Sequence, residues 1–285
     1  PDDAFTAIEG DEKKACAALK KRNKSELKGM GPLFAQQNAD TQTRLEQAAA
    51  ALENLPDDRV EDIRAKEFAF RRCQETDEYR HKKKLANTWC AAFVIQKHFR
   101  EPSRESSAYG VTQGHLNDLA AGRPLPADLA TEVERLSDQY KFFHWHLSFP
   151  EVFARGGFDC VLGNPPWETM SPDAKEFFST YDPSVRFMKK EEQQRVIAEL
   201  LQSTSIAVQW TEHRRYLYTS VHFMKASGRY NHMFAEGNLG KGDFDLYRAF
   251  VEIALAITRL GGCAGQVVKS GFYNGANAQG LRKEL

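Results

Sequence analysis

At 285 residues the chain is long enough for one or two domains with a substantial core. Lys+Arg and Asp+Glu both number 39, which excludes a module held to nucleic acid by bulk charge and leaves any such contact to local patches. Five scattered cysteines with no CxxC pair (Cys16, Cys73, Cys90, Cys160, Cys263) exclude a disulfide frame or zinc ribbon and read as reduced thiols of a cytoplasmic protein, and no apolar run is long enough to span a membrane.

In chain order, Gly10-Asp11 predicts a helix from Glu12 to about Lys28, stopped by Gly29-Met30-Gly31-Pro32. Thr41 to Asn54 is a second, alanine-rich helix. Pro56-Asp57-Asp58 opens the longest helical stretch, running toward Phe99, with Leu85, Trp89 and Phe93 on its apolar side and Arg71, Arg72, Arg80 and Lys82–Lys84 on its solvated side. Glu101 to Gly110 reads as a polar loop. Helices follow at Gln113–Ala121 and Pro126–Tyr140, parted by Gly122-Arg123-Pro124. Residues 1–140 are thus read as a mostly helical body without an enzymatic constellation.

Phe142 to Phe153 is an aromatic lead-in. If extended, it places His144 and His146 on one face, a spacing metals can use, but no third ligand is evident and no metal site is assigned. Phe158 to Leu162 then reads as a buried strand, ended by Gly163-Asn164-Pro165-Pro166-Trp167. Neither proline has an N–H, so the ladder must stop there, while both carbonyls remain acceptors. The Pro165 carbonyl and the Asn164 side-chain oxygen can face one donor group, with the Trp167 ring beside them. Two acceptors and a flat face suit a planar ring carrying an exocyclic amine. Accepting both amine hydrogens drives the nitrogen toward a tetrahedral, nucleophilic geometry, which favours the transition state over the ground state.

Asn164-Pro165-Pro166-Trp167 after its strand resembles the Asn-Pro-Pro-aromatic signature of N6-adenine DNA methyltransferases. The resemblance implies catalytic roles for Asn164, Pro165, Pro166 and Trp167, with Asn164, Pro165 and Trp167 binding the base. It also implies S-adenosylmethionine as methyl donor, double-stranded DNA as substrate, and restriction or defence-system subunits as partners. Some protein-glutamine and RNA methyltransferases use a similar tetrapeptide, so those reactions stay open, as does a non-catalytic DNA-binding or assembly module that keeps the motif.

Beyond the motif, Ser171-Pro172-Asp173 caps a short helix to about Phe178, and Ser184 to Ala226 is a second helix-prone block. In it Arg214 and Arg215, interleaved with Trp210, Tyr216 and Tyr218, are candidates for phosphate contacts or for filling a vacated base stack, equally an ordinary charged face. Gly237 to Asp243 lacks the spacing of a phosphate loop and reads as a turn with Asp243 capping a helix over Phe244–Leu260, burying Leu246, Phe250, Ile253 and Ile257. Gly261-Gly262 ends that helix, and Ala264 to Val268 forms a strand that can lie parallel to Phe158–Leu162. The run Asp245–Glu252 with this strand resembles the motifs downstream in the same family, except that Lys269 stands where a proline commonly ends the strand.

The fold expected is α/β: part of a doubly wound, Rossmann-like methyltransferase sheet over residues 141–285, joined to the large helical insertion of 1–140. The glycine-rich turn and acid that hold the donor in this family are not found before Asn164. With no methionine at Pro1 and an abrupt end at Leu285, the chain reads as a piece of a longer protein. The donor-binding residues are expected upstream of Pro1, and the piece alone is expected to be inactive.

Overall fold

Two parallel strands and a body of helices make up the computed structural model, which describes residues 2–27, 45–52, 54–101, 104–235, 244–274 and 278–284. The architecture is mixed α/β and mostly helical. Among the described residues no helix is long and apolar enough to cross a membrane.

The helical body begins with α1 (Lys13–Leu27), close to its expected bounds. Helix α2 spans 45–52, and the expected Thr41 start lies outside the described residues. The long helix expected from Pro56 toward Phe99 is two: α3 (Val60–Gln74) and α4 (Asp77–Val94). The break falls at Glu75-Thr76, where the Thr76 hydroxyl accepts from the Tyr79 N–H at 3.3 Å and caps α4. A threonine oxygen that satisfies an orphan N–H of a new helix competes with continuing the old one. The expected polar loop after Phe99 also holds a small antiparallel pair, β1 (His98–Phe99) with β2 (Ala108–Tyr109). Helices α5 (Gln113–Ala120) and α6 (Ala127–Tyr140) stand where periodicity put them.

Ala91, Phe93, Val94, Ile95, Leu119, Leu129, Val133 and Leu136 form the main buried cluster, with Trp89 and Phe223 packed against it. Trp89 meets Phe93 and Phe223 edge-on, at centroid distances of 5.0 and 6.0 Å. Phe223 belongs to α11 (Thr204–Ala226), so the core of the helical body recruits a helix from well beyond Tyr140.

The aromatic lead-in is not extended. It coils into two short helices, α7 (Trp145–Ser148) and α8 (Pro150–Ala154), because Pro150 fits the first turn of a helix and no ladder partner runs alongside. His144 and His146 therefore do not share a strand face. The Asn87 amide nitrogen donates to the Ser137 hydroxyl at 2.9 Å, and its oxygen faces His144 Nε2 at 2.6 Å. Among the described residues no group of three or more His, Cys, Asp or Glu side chains is placed to hold a metal.

Strand β3 (Phe158–Gly163) pairs parallel with β4 (Thr258–Gln266), as expected of the two strands. A parallel pair requires a crossover, and here residues 164–257 supply it: α9 (Ala174–Phe178), a 3-10 turn at Pro183–Arg186, α10 (Lys190–Leu200), α11 and α12 (Tyr247–Ile257). Three expectations need correction. Helix α12 ends at Ile257, and Gly261-Gly262 lie inside β4 as an irregularity between the Phe158–Thr258 and Cys160–Cys263 pairs, not in a turn before it. Its buried face is Tyr247, Ala249, Val251, Ala254 and Ile257, while Phe250 is 39% exposed. Strand β3 is also not buried, with Leu162 78% exposed, and neither is β4, with Leu260 99% exposed. A parallel sheet is covered when helices pack both faces, and two strands with one crossover leave much of each face open. The close start of the pair depends on Gly157 at φ +128°, where a Cβ would collide with the Ile257 carbonyl oxygen.

Burial, with the His146 and Arg229 cations nearby, pushes the His144 imidazole down to about 4 from its ordinary 6.5. The unfolded chain takes up that proton near pH 6.5 and the folded chain only near 4, so this stabilisation is full above pH 6.5 and is lost as pH falls through that window. His146 is shifted in the same direction. The midpoint of urea unfolding should fall between pH 6.5 and 4, and His144→Gln should flatten that dependence.

Candidate functional site

The motif follows the last ladder residue of β3. The Gly163 carbonyl accepts from Val267 N–H at 3.1 Å, and the chain then turns into Asn164-Pro165-Pro166-Trp167 at the carboxyl end of the parallel pair. Pro165 is buried, whereas Asn164 and Pro166 are exposed. The prolines fix φ and cannot rejoin the ladder, so the tetrapeptide leaves the sheet as a stiff arm. Among the described residues neither the Asn164 side chain nor the Pro165 carbonyl has a hydrogen-bond partner.

Trp167 is fixed at one edge and open on its ring. Its indole N–H donates to the Val267 carbonyl at 3.3 Å, tying the arm to the end of β4, and the residue is 45% exposed. Beyond it the arm is stitched to the segment that enters α12. Leu246 N–H donates to Glu168 O at 2.8 Å, Met170 N–H to Phe244 O at 2.9 Å, and Thr169 bridges Asp245.

Asp245 is the hub of this stitch. It accepts from the Thr169 hydroxyl at 3.3 Å and from Lys269 Nζ at 2.7 Å. Lys269 thus reaches back from the end of β4 and pins Asp245. The pair is about a third exposed, so its Coulombic worth is at most about 1 kcal/mol and its role is geometric. Gln266, in register with Gly163, donates to the Phe250 carbonyl at 3.2 Å, while its Oε1 is buried without a partner. The sequence reading named Asp245 only as the start of the Asp245–Glu252 run and gave it no role, and it missed Gln266 and the contact of Lys269.

Arg214 and Arg215 are both occupied elsewhere. Arg215 donates to Asp11 Oδ1 at 3.2 Å, to the Glu9 carbonyl and to the Val94 carbonyl at 3.4 Å. The Asp11 side chain is wholly buried, faces Lys97 Nζ at 3.9 Å, and accepts from the Lys97 N–H at 3.1 Å. Withdrawing one partner from such a buried charge costs about 3–5 kcal/mol, which holds Arg215 in place as a brace between α11 and the amino-terminal segment. Arg214 pairs with Glu9 at 2.8 Å and lies over Trp210 and Tyr218. The structure does not bring either guanidinium to the motif through any described contact.

For a methyl donor, the glycine-rich turn and the acid of the following strand are not supplied by the described residues. No donor-binding set is assigned to this edge.

Residues 87–197 match the Eco57I restriction-modification methylase family. No curated protein and no solved structure matches the chain. The match supports a DNA methyltransferase of the restriction-modification type. It takes in α4 from Asn87, the helical segments up to β3, the Asn164–Trp167 arm and most of α10, so the Eco57I-like stretch crosses Tyr140 without a break.

Removing the hub should loosen the arm before it unfolds the protein. Asp245→Ala should speed hydrogen exchange at the Met170 and Leu246 amides by up to about fivefold, the counterpart of losing a partly exposed pair worth at most about 1 kcal/mol. Exchange in α4 and α6 should not change; uniform acceleration would show that Asp245 acts globally.

Proposed function

We propose that this chain carries the base-binding part of an adenine-specific DNA methyltransferase that modifies the N6 amine of a flipped adenine in a restriction-modification or anti-phage system. The observation that carries this reading is the motif edge: the Asn164 amide and Pro165 carbonyl without hydrogen-bond partners among the described residues, and a half-open Trp167 ring tied down at its N–H. Asn164 Oδ1 and the Pro165 carbonyl accept the two amine hydrogens and draw the nitrogen lone pair out of the ring. Trp167 stacks on the base once it leaves the duplex. Pro166 stiffens the arm that presents them. S-adenosylmethionine, when bound, supplies the methyl group; its binding residues are assigned to none of those described. The two strands fit as neighbours in a larger doubly wound, Rossmann-like sheet, whose further layers would cover Leu162 and Leu260. Duplex DNA is the substrate in this reading, subunits of the same defence system are its partners, and the cytoplasm is its compartment.

Methyl incorporation by the intact protein, with labelled donor and with DNA, RNA and protein substrates side by side, tests the reading. Label at adenine N6 of duplex DNA supports it; label confined to RNA or to glutamine overturns the substrate. Asn164→Ala should lower turnover about 10²–10³-fold, as expected for one preorganised transition-state partner, with little change in DNA affinity, which phosphate contacts dominate. Trp167→Ala should weaken the flipped state by about 1–3 kcal/mol, seen as loss of signal from a fluorescent base at the target, while Trp167→Phe should keep most activity.

A further inference from the structure

We propose that Phe187 is a wedge that enters the base stack of the bound duplex, with Lys189 and Lys190 on the adjoining phosphates. This rests on the DNA reading above and assigns to Phe187 the stack-filling role for which Arg214 and Arg215 are not placed.

Phe187 is 89% exposed, far more than the other described phenylalanines, and it makes no ring contact among the described residues. An exposed apolar side chain in a loose loop would mean little. Here the turn beneath it is built. Asp182 accepts from the Ser184 N–H at 2.9 Å and from the Ser184 hydroxyl at 2.6 Å. Pro183 opens the 3-10 turn, and Val185 is wholly buried as its anchor. The Val185 carbonyl accepts from Gln193 Nε2 at 3.1 Å, and Arg186 Nε donates to the Ser179 hydroxyl at 3.0 Å. The Phe187 N–H itself closes the turn on Ser184 O at 2.9 Å. Hydrogen bonds and a buried valine thus hold a bare benzyl group outward.

Its surroundings point to a polyanion with flat internal surfaces. Lys189 and Lys190 are exposed and form no ion pair among the described residues. The nearest acids behave differently: Asp182 is engaged in the turn, and Glu191 and Glu192 sit in the first turn of α10, where the helix dipole favours them. A rigid aromatic followed by two cations without an ion pair among the described residues matches the way apolar side chains open a base step while lysines hold the backbone. A duplex from which one base has been withdrawn offers such a gap.

The test uses the intact protein and a duplex that it methylates, comparing wild type with Phe187→Ala, Phe187→Trp and the double variant Lys189→Gln, Lys190→Gln. Phe187→Ala should weaken duplex binding about 5- to 100-fold, the range of one lost stack. Phe187→Trp should restore it, and its added emission relative to wild type should be quenched by the duplex. The double lysine variant should reduce the slope of log affinity against log salt by about two. If Phe187→Ala binds and methylates like wild type, or the added tryptophan ignores the duplex, the wedge is wrong while the methyltransferase reading stands. If the wild-type protein itself binds no duplex, both fall together.

Discussion

The layout of the motif edge follows from pairing β3 with β4 in parallel. Antiparallel strands can be joined by a two-residue turn; parallel ones need the chain to travel back the length of the sheet. Between Gly163 and Thr258 that return passes through the motif arm, three larger helices and the turn bearing Phe187. The carboxyl ends of both strands meet at one edge. The arm leaves β3 there, and Val267 and Lys269 leave β4 beside it, so the Trp167–Val267 bond and the Lys269–Asp245 pair can form. The chemistry of the site is local, but its placement is a consequence of strand direction.

The helical body is held by a different kind of constraint. Its centre is a buried ionic knot, with Asp11 facing both Lys97 and Arg215. Burial lowers the Lys97 ammonium below its ordinary range, with Asp11 opposing that shift, and lifts the nearby Cys16 thiol to about 11. Such a knot gives little net stability compared with an apolar filling, yet it punishes any rearrangement that separates its members. It therefore specifies how the amino-terminal segment, α4 and α11 meet more than it strengthens them.

Much of this was readable from residue order. Helical periodicity placed α1, α5 and α6, the double proline ended β3, and Asp173 caps α9 through the Glu176 N–H at 3.1 Å. What escaped was decided by partners distant in sequence. Thr76 and its neighbours have composition fit for continuing a helix, and only the geometry of the cap splits α3 from α4. Gly261-Gly262 resembles a stop, but β4 already starts at Thr258, whose hydroxyl closes on Ala254 O at 2.6 Å, and the glycines serve a register change within the strand. Arg214 and Arg215 looked available because a sequence shows charge and not the carboxylate that answers it; Glu9 and Asp11 lie some two hundred positions away. The expected cap at Asp243 lies outside the described residues.

Helix α11 touches two cores with adjacent residues. Phe223 packs with Trp89 and Phe93 in the helical body, and Met224 is buried in a second cluster with Met233, Phe244, Tyr247 and Phe272. Neighbours on a helix point about 100° apart, since 3.6 residues make a turn. Deleting one residue earlier in α11 would rotate this end by that angle and offer each core the wrong side chain, with Arg215 at the far side resisting any compensating slide. The length of α11 is therefore under a tighter rule than its composition: drift by substitution is tolerated along its solvent face, whereas drift by insertion or deletion must be confined to the connections on either side, at 201–203 and after Ala226.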